Sequence, residues 1–180
     1  MRSIMYDVLC PEMEKAEKIC EALKALLKGE VFCDDIHRTV YSSAACMYQI
    51  KPMTVVFPRD KRDVSLVLRY CYERSIPVTP RGAGSGLAGQ AIGNGVILDF
   101  SIHMKRILEV NEGRRTVRVQ PGVVLSGLNK ALERSGLFFP PDPSSGDYCT
   151  VGGMIANNSS GSHSLQYGAT KDYVISLEVV

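Results

Sequence analysis

The chain has 180 residues, 45% of them hydrophobic and 22% charged, enough apolar material for a sizeable core and the composition of an ordinary folded protein. Its 21 Lys and Arg oppose 19 Asp and Glu, and the formal charge of +2 is spread along the sequence, so nothing asks for nucleic acid or an anionic membrane surface. Six cysteines with no Cys-x-x-Cys pair and no histidine at a metal-ligand interval argue against a metal site and read as reduced thiols. Met1 to Cys10 is too short and polar for a signal peptide, and no apolar run approaches the ~20 residues that span a bilayer, so a cytoplasmic location is expected.

In chain order, Met13, Ala16, Ile19, Cys20, Leu23 and Leu27 recur at helical spacing and predict a packing helix over 11–28, stopped by Gly29. Residues 31–51 show little periodicity and read as an irregular connection with Tyr41, Tyr48 and Ile50 as anchors. Thr54 to Phe57 predicts a strand, Asp60 an N-cap, and Val64, Val67, Leu68 and Cys71 a helix to about Ser75, followed by a second strand over 76–79. Strand, helix and strand in so few residues predict a right-handed parallel crossover. A glycine-rich segment then leads to a strand over 96–100. Residues 107–110 and 116–119 predict a hairpin, and 123–135 a helix ended by Gly136. Three prolines keep 138–143 extended. Residues 149–168 are rich in Gly, Ser and Asn, and 174–180 reads as a strand. That strand stops on two valines without a turn or cap, which predicts that the sequence is a piece of a longer protein.

The segment Pro80-Arg81-Gly82-Ala83-Gly84-Ser85-Gly86-Leu87 starts at the end of a predicted strand. Gly84 to Gly89 matches G-x-G-x-x-G, but a dinucleotide unit needs a helix to begin inside the motif, and here more glycines and a strand follow. A P-loop needs lysine after its last glycine, where Gln90 stands. What remains is a backbone free of Cβ atoms, able to turn several N–H groups toward a phosphate with Arg81 assisting. The plain alternative is a glycine-rich turn. On the ligand reading, Gly84→Val removes binding because its side chain fills the space of a phosphate oxygen.

A second candidate surface runs from Cys149 through Thr150, Gly152 and Gly153 to Asn157 and Gly161, where small polar residues suit either close approach of a flat or phosphorylated ligand or a surface loop. Asp142, between two prolines, is a positioned acceptor or a turn residue. His37, His103 and His163 form no triad; His163 alone lies in the Ser/Gly-rich stretch. Tyr167-Gly168 either packs a ring near the same ligand or closes a turn.

The ordered motifs Pro80 to Gln90, Val119-Gln120-Pro121-Gly122-Val123, Phe139-Pro140-Pro141-Asp142-Pro143, Thr150-Val151-Gly152-Gly153 and Tyr167-Gly168 resemble the FAD-linked oxidases of the vanillyl-alcohol oxidase and p-cresol methylhydroxylase superfamily. The nearest branch is that of glycolate oxidase FAD subunits, D-lactate dehydrogenases and D-2-hydroxyglutarate dehydrogenases. The resemblance implies a two-lobed α+β fold with FAD between the lobes, divided as an N-terminal helix and connection (1–50), a first lobe (51–100) and a second lobe (101–180) without a cap domain. It implies non-covalent FAD, the loop having no histidine, with Pro80 and Arg81 to Leu87 around the pyrophosphate. Thr150, Gly152, Gly153, Asn157, Gly161 and Gly168 would line the flavin and its phosphates, Pro141 and Asp142 would border the site, and Val179 would approach the adenine. The implied reaction is hydride transfer from a small hydroxy acid to FAD. The catalytic base, the substrate arginine and any metal ligands would lie in the cap, and an iron-sulfur domain or subunit is a candidate electron acceptor. A phosphate-ligand module without redox activity and another flavoenzyme of the superfamily are the competing expectations.

Overall fold

The computed structural model describes residues 11–180, with side chains from Glu14 onward. The expectations for Met1 to Cys10 and for Met13 lie outside those described residues and side chains. Helix α1 (Pro11–Leu26) buries Ala16, Ile19, Cys20 and Leu23, as their spacing requires. The chain turns at Gly29, where a Cβ would lie 2.1 Å from the carbonyl oxygen of Phe57; only glycine lets it pass so close to the sheet.

The stretch expected to be irregular instead forms β1 (Glu30–Phe32) and α2 (Asp35–Val40). Asp34 caps α2 by accepting the His37 N–H at 3.0 Å. A three-residue strand carries no readable period, and α2 buries none of its side chains, so neither leaves a hydrophobic signal. Tyr41 is an anchor, whereas Tyr48 and Ile50 are exposed.

Strand β2 (Thr54–Phe57), helix α3 (Lys61–Glu73), strand β3 (Val78–Arg81) and strand β4 (Val96–Asp99) follow. The sheet order is β1-β2-β4-β3; β1 runs antiparallel to β2, and β4 pairs in parallel with both β2 and β3. The crossover through α3 therefore skips one place, which β4 fills. Strand β3 begins two residues later than expected and includes Pro80, whose missing N–H is tolerated because β3 is an edge. Ile19, Cys20, Leu23 and Val31 share one core with Val56, Val67, Leu98 and Met104, so the first described residues are part of the sheet's own packing.

Thr54 is fully buried at the start of β2, and its hydroxyl has no partner among the described residues. Valine has the same shape without the polar atom, and an unsatisfied buried group costs ~1–3 kcal/mol. Thr54→Val is expected to raise the stability by about 1 kcal/mol in urea denaturation. A loss of that size would show that the hydroxyl is satisfied.

Beyond the sheet, β5 (Ile107–Asn111) and β6 (Thr116–Val119) form the expected antiparallel hairpin, turning through Arg115 at φ +51°. Helix α4 (Leu125–Leu132) continues as a 3-10 turn to Gly136, whose φ of +64° ends it. Val123, Leu128, Leu132 and Val151 make a second core. The Gly/Ser-rich stretch holds a helix, α5 (Val151–Asn157), where a ligand surface or loop was expected. Thr150 caps it, and the inward spacing of Val151 and Met154 outweighs the poor helix propensity of the glycine pair. A short α6 (Ser164–Tyr167) follows. Residues 174–180 join no ladder, contrary to expectation; Ile175, Leu177 and Val179 are exposed, and Glu178 pairs with Lys61 at 2.8 Å. The fold is α+β: a mostly parallel sheet with its helices, and a hairpin-and-helix unit around the second core.

Candidate functional site

Strand β3 ends at Arg81, opposite Asp99 of β4, so the glycine loop leaves the sheet at the carboxyl ends of its parallel strands, where open α/β sheets bind ligands. Gly84 has φ +68° and Gly89 φ +83°, turns that a residue with a Cβ makes only under strain. Among the described residues, no hydrogen bond takes the N–H of Gly82, Ala83, Gly84, Ser85, Gly86 or Leu87 to a protein acceptor, while Ala88 N–H is held by the Gln90 side chain. Six successive free donors are what an anion needs.

The loop forms one wall of a cleft of about 610 Å³. Ala83, Gly84 and Ser85 face Ser43, Ala44 and Ala45 on one side and Asp147, Tyr148 and Thr150 on the other. A separate recess of about 360 Å³ lies beside Lys15, Lys18 and Arg74 and is lined by no residue of the glycine loop. The tertiary fold thus joins the two stretches singled out in the sequence, and adds Ser43, Ala44, Ala45 and Tyr148. A run of four small residues, Ser42 to Ala45, was the only sign of that third wall.

The glycines make protein contacts first. A Cβ on Gly82 would stand 2.1 Å from Thr150 Oγ1, and one on Gly84 would meet the Arg81 guanidinium at 2.8 Å. Arg81 itself turns to carbonyls, donating from Nη1 to Ser43 O at 2.9 Å and to Ala91 O at 3.3 Å. Pro80 is exposed on the edge strand, and Leu87 is exposed at the loop's far end.

In the second stretch, Thr150 Oγ1 accepts the Gly153 N–H, and the N–H groups of Val151 and Gly152 go to Val123 O and Pro121 O, each at 2.8 Å. These amides build the wall and are occupied. A Cβ on Gly152 would lie 2.7 Å from Pro121. Asn157 accepts from the Gln90 side chain at 3.4 Å, tying the end of α5 to the glycine loop.

Pro141 is buried, and Asp142 acts as an acceptor: the Ser162 hydroxyl at 2.9 Å, the His163 N–H at 3.1 Å and the His163 ring all bond its carboxylate. Desolvation works against the charge, but these hydrogen bonds outweigh it and hold the carboxyl below its ordinary range. Gly161 passes under it, since a Cβ there would lie 2.0 Å from Asp142 O. His163 is thereby a partner of Asp142. Gly168, at φ +82°, closes the turn beneath Tyr167, where Asp172 accepts the Ala169 N–H at 2.8 Å. Val179 lies exposed in the last segment, and the structure brings it to no wall of the cleft.

No group of three potential metal ligands occurs among the described residues. Burial pushes the Cys71 thiol up to about 11, and burial with the neighbouring Cys33 pushes Cys20 up to about 12, so neither is a ready nucleophile. No described helix is long and apolar enough to cross a membrane.

A parallel sheet whose edge strand feeds a loop of free amides, walled by a second α+β unit, defines a protein that binds a phosphate-bearing cofactor. The chain belongs to the family described as FAD binding domain, whose model matches residues 52–180. It is 46% identical over 146 residues to the glycolate oxidase subunit GlcD of Bacillus subtilis (strain 168), covering 79% of this chain and 31% of that one. It is 42% identical over 167 residues to the D-2-hydroxyglutarate dehydrogenase of Pseudomonas putida (89% and 17%), and 36% identical over 183 residues to the D-lactate dehydrogenase of Anaerostipes hadrus (100% and 37%). The chain thus spans between 17% and 37% of the length of these relatives. Among solved structures, an alkyldihydroxyacetonephosphate synthase superposes with TM-score 0.77 at 23% identity (87% and 32% covered), and p-cresol methylhydroxylase with 0.67 at 19% (83% and 30%), which shows the fold. The cofactor of this family is FAD, and the residues fit it: the free amides suit its pyrophosphate, and no histidine stands in the loop to attach it covalently.

Proposed function

We propose that this chain is the FAD-binding part of a flavin-dependent oxidoreductase that oxidises the CH–OH group of a D-2-hydroxy acid of the lactate, glycolate or 2-hydroxyglutarate class. The observation that carries the cofactor reading is the row of six N–H groups from Gly82 to Leu87 without a protein acceptor among the described residues, in a loop whose Ala83, Gly84 and Ser85 line the cleft. Each charge-assisted hydrogen bond of this kind contributes ~1.5–3 kcal/mol, so three or four suffice to hold a pyrophosphate without a side-chain cation. The substrate class follows the names of the relatives.

In this reading Pro80 and Arg81 shape the entry of the loop, Gly82 to Leu87 hold the pyrophosphate, and Thr150, Gly152 and Gly153 form the wall beside the flavin. Asn157, Gly161, Gly168, Pro141 and Asp142 fix the outer rim, and Val179, exposed outside the cleft walls, is available to the adenine end. FAD supplies the hydride acceptor; the protein binds it, orients it and shields it from water. The two lobes are the residues of the first and second cores, with the cofactor between them. The base, the substrate-binding groups and the electron acceptor, an iron-sulfur domain or subunit being one candidate, belong to the rest of the enzyme. A cytoplasmic setting suits the free thiols.

The test is titration of the purified chain with FAD. Saturable quenching of flavin fluorescence, with unmodified FAD released by acid or heat, is expected. Absence of saturable binding, or preference for a simple sugar phosphate, would overturn the reading.

A further inference from the structure

Beneath the glycine loop lies a set of contacts that the cofactor reading leaves unused. Asp99 is 3% exposed, and both its oxygens are engaged, one by the Tyr41 hydroxyl at 2.6 Å and the other by the Ser101 N–H at 2.7 Å. Tyr41 begins the strap of residues 41–46 that forms the third wall of the cleft. Its ring lies 4.9 Å from the Arg81 guanidinium, which donates to Ser43 O in the strap and to Ala91 O beyond the far end of the loop. Gly84 rests against the same guanidinium, and Gly84 O accepts the Ala45 N–H at 2.9 Å. Strap, loop entry, loop apex and loop exit therefore meet at one planar cation.

The geometry points to Tyr41, Asp99 and Arg81 as a positioning clasp that holds the glycine loop in the shape FAD requires, with Arg81 acting on carbonyls and not on the cofactor's phosphates. This rests on the FAD reading above. The guanidinium suits the task because it is flat enough to lie between a tyrosine ring and Gly84 while its Nη1 reaches the carbonyls of Ser43 and Ala91; a lysine ammonium is a point charge without that flat face. Desolvation, and then the hydrogen bond to Asp99, push the Tyr41 phenol up, so it remains a donor.

The experiment compares Tyr41→Phe and Arg81→Lys with the unsubstituted chain, and uses Val67→Ala in the core as a control for general destabilisation. FAD affinity is measured by fluorescence quenching over a range of salt, and amide hydrogen exchange at Ala45 and residues 82–87 is followed without FAD. Both clasp variants are expected to weaken FAD binding about tenfold or more. They should leave its salt dependence unchanged and speed exchange at Ala45, while Val67→Ala keeps the original affinity. Wild-type affinity in Arg81→Lys would overturn the clasp, because charge alone would then suffice. So would weakened binding with unchanged exchange at Ala45, which places Arg81 on the ligand. Were the unsubstituted chain to bind no FAD, faster exchange in the variants would keep the clasp and remove the cofactor reading, whereas unchanged exchange would remove both.

Discussion

Gly82→Val is expected to weaken FAD binding by on the order of a hundredfold while the chain stays folded. Its Cβ would lie 2.1 Å from Thr150 Oγ1 and within 3.3 Å of two further Thr150 atoms. Thr150 cannot give way, being 2% exposed and committed to capping α5 through the Gly153 N–H. The loop must move instead. Overpacking of this kind costs ~1–3 kcal/mol, and with the pyrophosphate held by the loop's free amides as proposed, the displacement appears as lost affinity. Fluorescence titration with FAD, alongside a thermal melt of the free chain, checks it; unchanged affinity would place the pyrophosphate away from this loop. Gly84→Val is damaging for a different reason from the one its sequence context suggests. At φ +68° a β-branched residue is strained, and its Cβ meets the Arg81 guanidinium 2.8 Å away, on the protein side of the loop.

Asp63→Ala is expected to cost about 3–5 kcal/mol of stability. Asp63 is 1% exposed on α3, and its carboxylate accepts three backbone N–H groups: Lys28 at 3.1 Å, Gly29 at 2.9 Å and Arg59 at 3.0 Å. It joins the turn between α1 and β1 to the loop between β2 and α3. Alanine strands all three donors at a part-buried junction, at up to ~1–3 kcal/mol each where water does not replace the carboxylate. Asp63→Asn should recover part of the loss, since one acceptor oxygen remains. Urea denaturation reads both variants, and a change below about 1 kcal/mol for alanine would show that the turns hold without this carboxylate.

Much of the parallel sheet and its helices was readable because its signals are local. Asp60 accepts the N–H groups of Arg62 and Asp63 as the expected cap of α3, and Val64, Val67 and Cys71 are buried as their spacing required. The hairpin and the end of α4 at Gly136 were equally local. What escaped had no period or carried misleading propensity: β1 is too short, α2 buries nothing, and Gly152-Gly153 hid α5. Residues 174–180 had the composition of a strand but have no ladder partner, and composition says nothing about partners.

For the site, the sequence by itself determined where the candidate anion-binding backbone lies, since a run of residues without Cβ atoms is a property of the residues alone. It also carried the family, through five motifs in order. Only the tertiary structure decided what each residue does there. It placed β4 between β2 and β3, which sets the loop at the strand ends. It gave the Arg81 guanidinium to the carbonyls of Ser43 and Ala91, occupied the amides of α5 with Val123 and Pro121, and gave Asp142 to Ser162 and His163. These outcomes depend on which hydrogen-bond partner lies closest across 20 or more residues of chain for most of these pairs, and on whether a donor still lacks one. That is fixed by packing, because a buried polar group takes whatever acceptor the fold brings within reach, and the donors left over are the ones available to a cofactor.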